Sequence, residues 1–135
     1  MTPCGVASGG WRMGDRETMS ELDNFGGYRK ARELFECVVD DMALLAANPL
    51  CVRMVAQQMA SADSVAANIE EGYGRQSSRE YRQYLVIARG SARETQGRYE
   101  RFGRWITPEL ATRRMALCEE IIRILSATIN RLDSR

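Results

Sequence analysis

Apolar side chains recur at steps of three and four along most of the chain, from Tyr28 to Leu132. Tyr28, Ala31, Phe35, Val38, Met42 and Leu45 keep to one stripe of a 3.6-residue helix, which predicts a first helix. Asn48-Pro49 interrupts it, and proline suits the first turn of the helix that follows. There Val52, Val55, Met59, Ala62, Ala66, Ile69 and Tyr73 repeat the spacing. Gly72 and Gly74 are expected to close this second helix, since glycine tolerates left-handed backbone beyond a helix end. Ser77 followed by Glu80 is a capping-box pattern that opens a third helix. Its stripe is Tyr81, Tyr84 or Leu85, Ala88, Ala92, Thr95, Tyr99 and Phe102. Gly103 and the start signal Thr107-Pro108-Glu109 set off a fourth helix, striped by Leu110, Leu117, Ile121, Leu125, Thr128 and Leu132.

Nothing alternates with period two over a useful length, so strands are not expected. The fold class predicted is all-α: an up-down-up-down antiparallel four-helix bundle, with helices of about 20–27 residues joined by short loops. Stripes repeating every 3.5 residues favour the shallow left-handed crossing of such bundles. The bundle is assigned to residues 21–135. Residues 1–20, rich in Gly and Ser and without apolar periodicity, read as a flexible leader, with Met13 and Met19 as alternative starts.

Composition narrows the function classes. The 135 residues are 44% hydrophobic and 27% charged, ordinary for one globular domain. No apolar run nears the roughly 20 residues that cross a bilayer, and the N-terminus lacks a signal-peptide layout. The expectation is a cytoplasmic protein with no membrane partner. There is no histidine, which removes histidine-based metal sites, triads and general acid/base catalysis. Cys4, Cys37, Cys51 and Cys118 form no C-x-x-C pair and read as free, buried thiols. Glu70-Glu71 could be imagined as an acid/base or di-metal pair, but no Glu-x-x-His accompanies it. No enzymatic activity, metal or cofactor is expected.

Net charge is +1, yet the charge is segregated. Residues 21–71 hold nine acids against four bases, a net of −5, and residues 75–104 hold eight arginines against three acids, a net of +5. Arg75, Arg79, Arg82, Arg89 and Arg93 step by 4, 3, 7 and 4, as on one helical face. Such a ridge can follow a nucleic-acid backbone, or it can pair with the acidic half within the bundle or across subunits. Near-zero net charge favours pairing, because long-range attraction needs uncompensated charge. Asn68, on the core-facing side of the second helix, reads as a structural amide that satisfies backbone groups or another helix. Gly90, Ser91 and Gly97 weaken the third helix, and their small size suggests close approach of another helix. Trp105, Phe102 and Tyr99 form an aromatic end cluster, a core element or a protein-contact patch.

The run Ser64-Val65-Ala66-Ala67-Asn68-Ile69-Glu70-Glu71-Gly72-Tyr73-Gly74-Arg75 resembles the hallmark S-(I/V)-P-A-N-I-A-E-G-(Y/F)-G-R. That hallmark belongs to the four-helix-bundle family first noticed as reading frames within intervening sequences of bacterial 23S rRNA genes. Ala66 replaces the usual proline and Glu70 the usual alanine. Tyr28, Ala31 and Leu34 match an aromatic-x-x-Ala-x-x-Leu opening, and Gly90-Ser91 a Gly-Ser step, so the likeness covers about residues 25–133. Asn68, Glu71, Gly72, Gly74 and Arg75 are the motif positions carried over. The resemblance implies the bundle fold and a homopentamer, without an activity. A branch of similar fold, the accessory proteins of diversity-generating retroelements, binds a reverse transcriptase and nucleic acid. This chain differs from that branch in its balanced charge, and from common members in having Arg89 and Arg93 at usually aliphatic or small positions. The expectation is a non-enzymatic scaffold or adaptor acting as a homo-oligomer. Its alternative is an accessory protein that binds RNA or DNA, or a nucleic-acid enzyme, through the arginines of the third helix.

Overall fold

The computed structural model describes residues 20–134. After a single helical turn, Ser20–Asp23, come four long helices: α1 (Gly26–Leu45), α2 (Val52–Tyr73), α3 (Ser78–Phe102) and α4 (Pro108–Asp133). A 3-10 turn, Pro49–Cys51, leads into α2. Expectations for the leader and for Cys4 lie outside the described residues, apart from Ser20, which opens the helical turn. No strand occurs among the described residues, and no helix is long and apolar enough to cross a membrane.

The starts fall where the side-chain chemistry satisfies free backbone amides. The Asn48 side chain accepts from Leu50 N, Ser77 from Glu80 N and Thr107 from Leu110 N. Each hydroxyl or amide thereby fills one of the unpaired donors of a first helical turn. The ends differ from expectation. Gly74 caps α2 at φ −78°, ψ −2°, and Gly103 caps α3 at φ −55°, ψ −12°, both right-handed. Gly72 lies inside the last turn of α2, where steric fit requires it. A Cβ there would stand 2.7 Å from Tyr84 Cβ and 3.0 Å from Tyr81 Cδ1, so glycine lets the start of α3 close onto α2.

Cross-helix contacts run in opposite chain directions. Tyr28 meets Glu70, Ser91 meets Ser64, Arg82 meets Asp133 and Arg89 meets Ser126. Neighbouring helices are therefore antiparallel, and α1 closes the ring against α4 through Lys30–Glu120 and Asp41–Arg114. The core holds Tyr28, Leu34, Val38, Val65, Ile69, Leu85, Tyr99, Phe102, Ile121, Leu125 and Ile129, all nearly inaccessible. Burying that apolar surface is the main term favouring the fold, at about 25 cal/mol per Å² removed from water.

The stripes match the core at their centres and leave it at their edges. In α2, Ala62, Ala66 and Ile69 are buried, but Val52 and Tyr73 are 60% and 43% exposed, while Gln58, Ser61 and Val65 turn inward. In α4, Leu110, Leu117 and Leu132 are half-buried, with Ala111, Arg114, Cys118 and Ile122 taking inner positions. A 3.6-residue helix drifts from a strict 3.5-residue repeat, and seams between helices admit polar groups that hydrogen-bond. Cys51 and Cys118 are free and buried, and Cys37, also buried, is disulfide-bonded instead of the free thiol expected.

Candidate functional site

The five arginines of the ridge occupy three kinds of place. Arg75 precedes α3, in the connection after Gly74. Its guanidinium donates to Glu71 Oε2 at 2.6 Å and to the Tyr84 hydroxyl at 2.9 Å, and lies 5.0 Å from the centre of the Tyr84 ring. Arg82 donates to Asp133 Oδ2 at 3.0 Å, and Arg89 to Ser126 Oγ at 3.1 Å, both across the α3/α4 seam. Arg79 and Arg93 are exposed and have no partner among the described side chains. Pairing with the acidic first half thus occurs at Arg75, whereas Arg82 and Arg89 are held by α4.

The motif residues gather at the α2–α3 corner. Ala67, Glu70, Glu71, Gly74 and Arg75 line an open hollow of about 420 Å³. Glu70 accepts the Tyr28 hydroxyl at 2.7 Å, and burial together with that bond pushes the Tyr28 phenol up. Both carboxylates are engaged in contacts that hold helix ends together. Asn68 is half-buried at the α2/α3 seam, short of the core. Its Nδ2 donates at 2.8 Å to both the carbonyl and the hydroxyl of Ser64, one turn earlier.

That bond is the first step of a polar ladder along the seam. Ser91 donates to Ser64 Oγ at 2.8 Å, Ser61 and Thr95 share a hydroxyl bond of 2.8 Å, and Gln58 Nε2 donates to the Thr95 carbonyl at 2.9 Å. Arg98, with a side chain 12% exposed, donates to Gln58 Oε1 at 3.2 Å and to Ser61 Oγ at 2.9 Å. An open groove of about 270 Å³ runs above it, with Glu94 on its rim.

A second buried cluster joins α1, α3 and α4. Arg114 donates to Asp41 through Nε at 2.7 Å and a terminal nitrogen at 3.1 Å, and the Tyr99 hydroxyl donates to Asp41 Oδ2 at 2.7 Å. Burial, then the charge and bond of Asp41, drive the Tyr99 phenol well above its ordinary range. Burial opposes charge on Arg114, but its bonds to Asp41 outweigh that and raise its pKa. The contact is bidentate, the geometry that compensates desolvation best. Sequence reasoning counted Asp41 only as an acid of the first half and passed over Arg114. The available signal was position: Asp41 stands three residues from Val38 and four from Leu45, and Arg114 four from Cys118, on the buried faces.

Among the described residues no group of three or more His, Cys, Asp or Glu could hold a metal ion. A Cβ placed on Gly90 would meet nothing within 4 Å, and one on Gly97 only the tip of Arg101, so neither glycine serves packing within the chain. Trp105 is half-buried against the core that Tyr99 and Phe102 fill, and those two rings meet edge-on at 6.4 Å.

A crystal structure of a protein of unknown function, from the S23 ribosomal protein family of Bacteroides thetaiotaomicron, superposes with a TM-score of 0.72. It is 28% identical and covers 76% of this chain and 97% of its own. No curated protein matches. Residues 24–127 match the family described as 23S rRNA-intervening sequence protein, and the chain belongs to that family.

Proposed function

We propose that the protein is a non-enzymatic scaffold or adaptor that works as a homo-oligomer, a pentamer of four-helix bundles. The observation carrying this reading is aliphatic exposure on the bundle surface: Leu44 is 70% exposed, Leu50 77%, Val52 60% and Ile87 51%. Leu44, Leu50 and Val52 fall within nine residues around the α1–α2 turn, and apolar surface grouped in this way, more than a lone exposed side chain, suits a contact surface. The buried polar groups, meanwhile, are spent on each other: Asp41 on Arg114 and Tyr99, Gln58 on Thr95 and Arg98. The resemblance of residues 64–75 adds the ring of five. Light scattering on the full chain tests this, with a mass five times the 15.2 kDa protomer expected. A 15.2 kDa particle at every concentration rejects it.

A second reading, nucleic-acid binding by α3, is favoured by one observation: Arg79 and Arg93 are exposed and unpaired within the described chain. Arg79→Glu with Arg93→Glu should then abolish a salt-sensitive mobility shift of an RNA probe, because each lost phosphate contact lowers affinity and its salt slope. No shift with the wild-type chain ends that reading.

A further inference from the structure

Charge segregation along the sequence becomes a charge difference across the molecule. α1 packs on α2 and α4, and α3 packs on α2 and α4, so the outer α1/α2 face lies opposite the outer α3/α4 face. On the first, Glu36, Asp40 and Asp63 pair with no described side chain. The Tyr28–Glu70 contact sets the register that places Asp63, two turns before Glu70, beside the middle of α1. Val39 and Val52, 36% and 60% exposed, lie on the same pair of helices, and the exposed bases Arg29 and Arg53 stand at its two ends.

On the opposite face Arg79, Arg93 and Arg123 are exposed and have no partner among the described residues. Arg123 joins the ridge from α4. The Arg89–Ser126 and Gln96–Glu119 contacts set a register in which Arg93 and Arg123 stand across the seam from each other. The acids nearest to Arg123 along α4 are both engaged, Glu120 with Lys30 on α1 and Glu119 with Gln96 on α3. Beside them the bare backbone of Gly90 faces open space, where a partner could approach closely.

We infer that the occupant of each face is the other face of a second copy: subunits assemble head to tail, the acidic α1/α2 face of one against the arginine α3/α4 face of the next. Two different, complementary faces make a heterologous contact, which closes into a ring when its rotation divides a full turn. Unmatched like charges would oppose α1/α2 meeting α1/α2, so a two-fold symmetric dimer through either face is disfavoured. This rests on the oligomer reading above and specifies its contact.

Charge reversal tests it. Asp40→Arg with Asp63→Arg makes both faces basic, and Arg93→Glu with Arg123→Glu makes both acidic. All four side chains are exposed, so circular dichroism should show native helix, and the single variants Asp63→Arg and Arg93→Glu repeat the test should a double variant not fold. Each double variant alone should fall to the 15.2 kDa protomer in light scattering. An equimolar mixture should reassociate into particles that contain both variants, since each copy can then bind only the other kind. Strict alternation needs an even number of places, so the mixed particle should differ in mass from the wild-type ring of five. Raising NaCl from about 0.1 to about 1 M, which shortens screening from ~10 to ~3 Å, should lower the wild-type mass. Variants that keep the wild-type mass, or a mixture that stays dissociated, would overturn the head-to-tail contact while leaving the oligomer standing. A wild-type chain that is itself monomeric overturns both.

Discussion

Asp41, Arg114 and Tyr99 put the largest electrostatic stake in the bundle on three side chains. The carboxylate accepts three hydrogen bonds and is 3% exposed, so removing any donor leaves a charge in the core with too few partners. Arg114→Ala should therefore cost about 3–5 kcal/mol in urea denaturation, because the carboxylate stays buried and unpaired. Tyr99→Phe removes one bond to a charged acceptor and should cost roughly 1.5–3 kcal/mol. Replacing Asp41 and Arg114 together by leucine and methionine should recover much of the loss, since an apolar pair has no charge to desolvate. If Arg114→Ala shifts the urea midpoint no more than an exposed substitution such as Arg113→Ala, the pair is not buried as described. The glycines make a sharper contrast. Gly72→Ala should destabilise by roughly 1–3 kcal/mol through overpacking against Tyr84, while Gly90→Ala, with open space around it, should stabilise the isolated bundle by about 1 kcal/mol.

At the scale of elements, helix starts were the most legible feature of the chain, because a cap is local chemistry. Asn48-Pro49, Ser77 with Glu80, and Thr107-Pro108 could be read in the sequence, and each side chain accepts from the backbone as its type dictates. Ser77→Ala or Thr107→Ala should each cost about 1 kcal/mol, measured by thermal or urea unfolding. A loss below a few tenths would mean that water replaces the hydroxyl at no penalty. The α2/α3 seam was less legible. Periodicity marks which positions face inward on average, but Gln58, Ser61 and Arg98 enter the seam only because hydroxyls on α3 stand where they can pair with them. That requires knowing how the two helices are rotated against each other, which no single stripe contains. The arginine spacing illustrates the same limit. It put five residues on one face, but could not tell that Arg82 and Arg89 would meet Asp133 and Ser126 while Arg79 and Arg93 find no partner among the described residues. The aligned charges of α3 were visible in the sequence, whereas their exposure depends on α4.

Across the whole molecule the buried phenols and the Cys118 thiol, unlike the charged Asp41–Arg114 pair, share one bias, and this sets what happens above neutrality. Burial, then Asp41, raises Tyr99; burial and the Glu70 bond raise Tyr28; burial pushes the Cys118 thiol from 9.0 up to about 12. In every case the neutral, protonated form is the one the fold accommodates. A group whose folded pKa lies above its unfolded value contributes stability in full below the unfolded pKa and loses it as pH rises toward the folded one. For Cys118 that window runs from about pH 9 to about 12, and for the two phenols it opens at their ordinary value of 10.0. The melting temperature should therefore stay level through neutral pH and fall steeply above pH 9, as unfolding releases groups that ionise only when exposed. Cys118→Ala separates the contributions: it should lower stability at pH 7 by the cost of a small cavity, yet make the decline between pH 9 and 10 shallower, because only the phenols remain to drive it. Calorimetric melts of both proteins at pH 7, 9, 10 and 11 provide the comparison. Parallel profiles for the two would show that the Cys118 thiol ionises as readily folded as unfolded, and a wild-type profile level to pH 11 would do the same for Tyr28 and Tyr99.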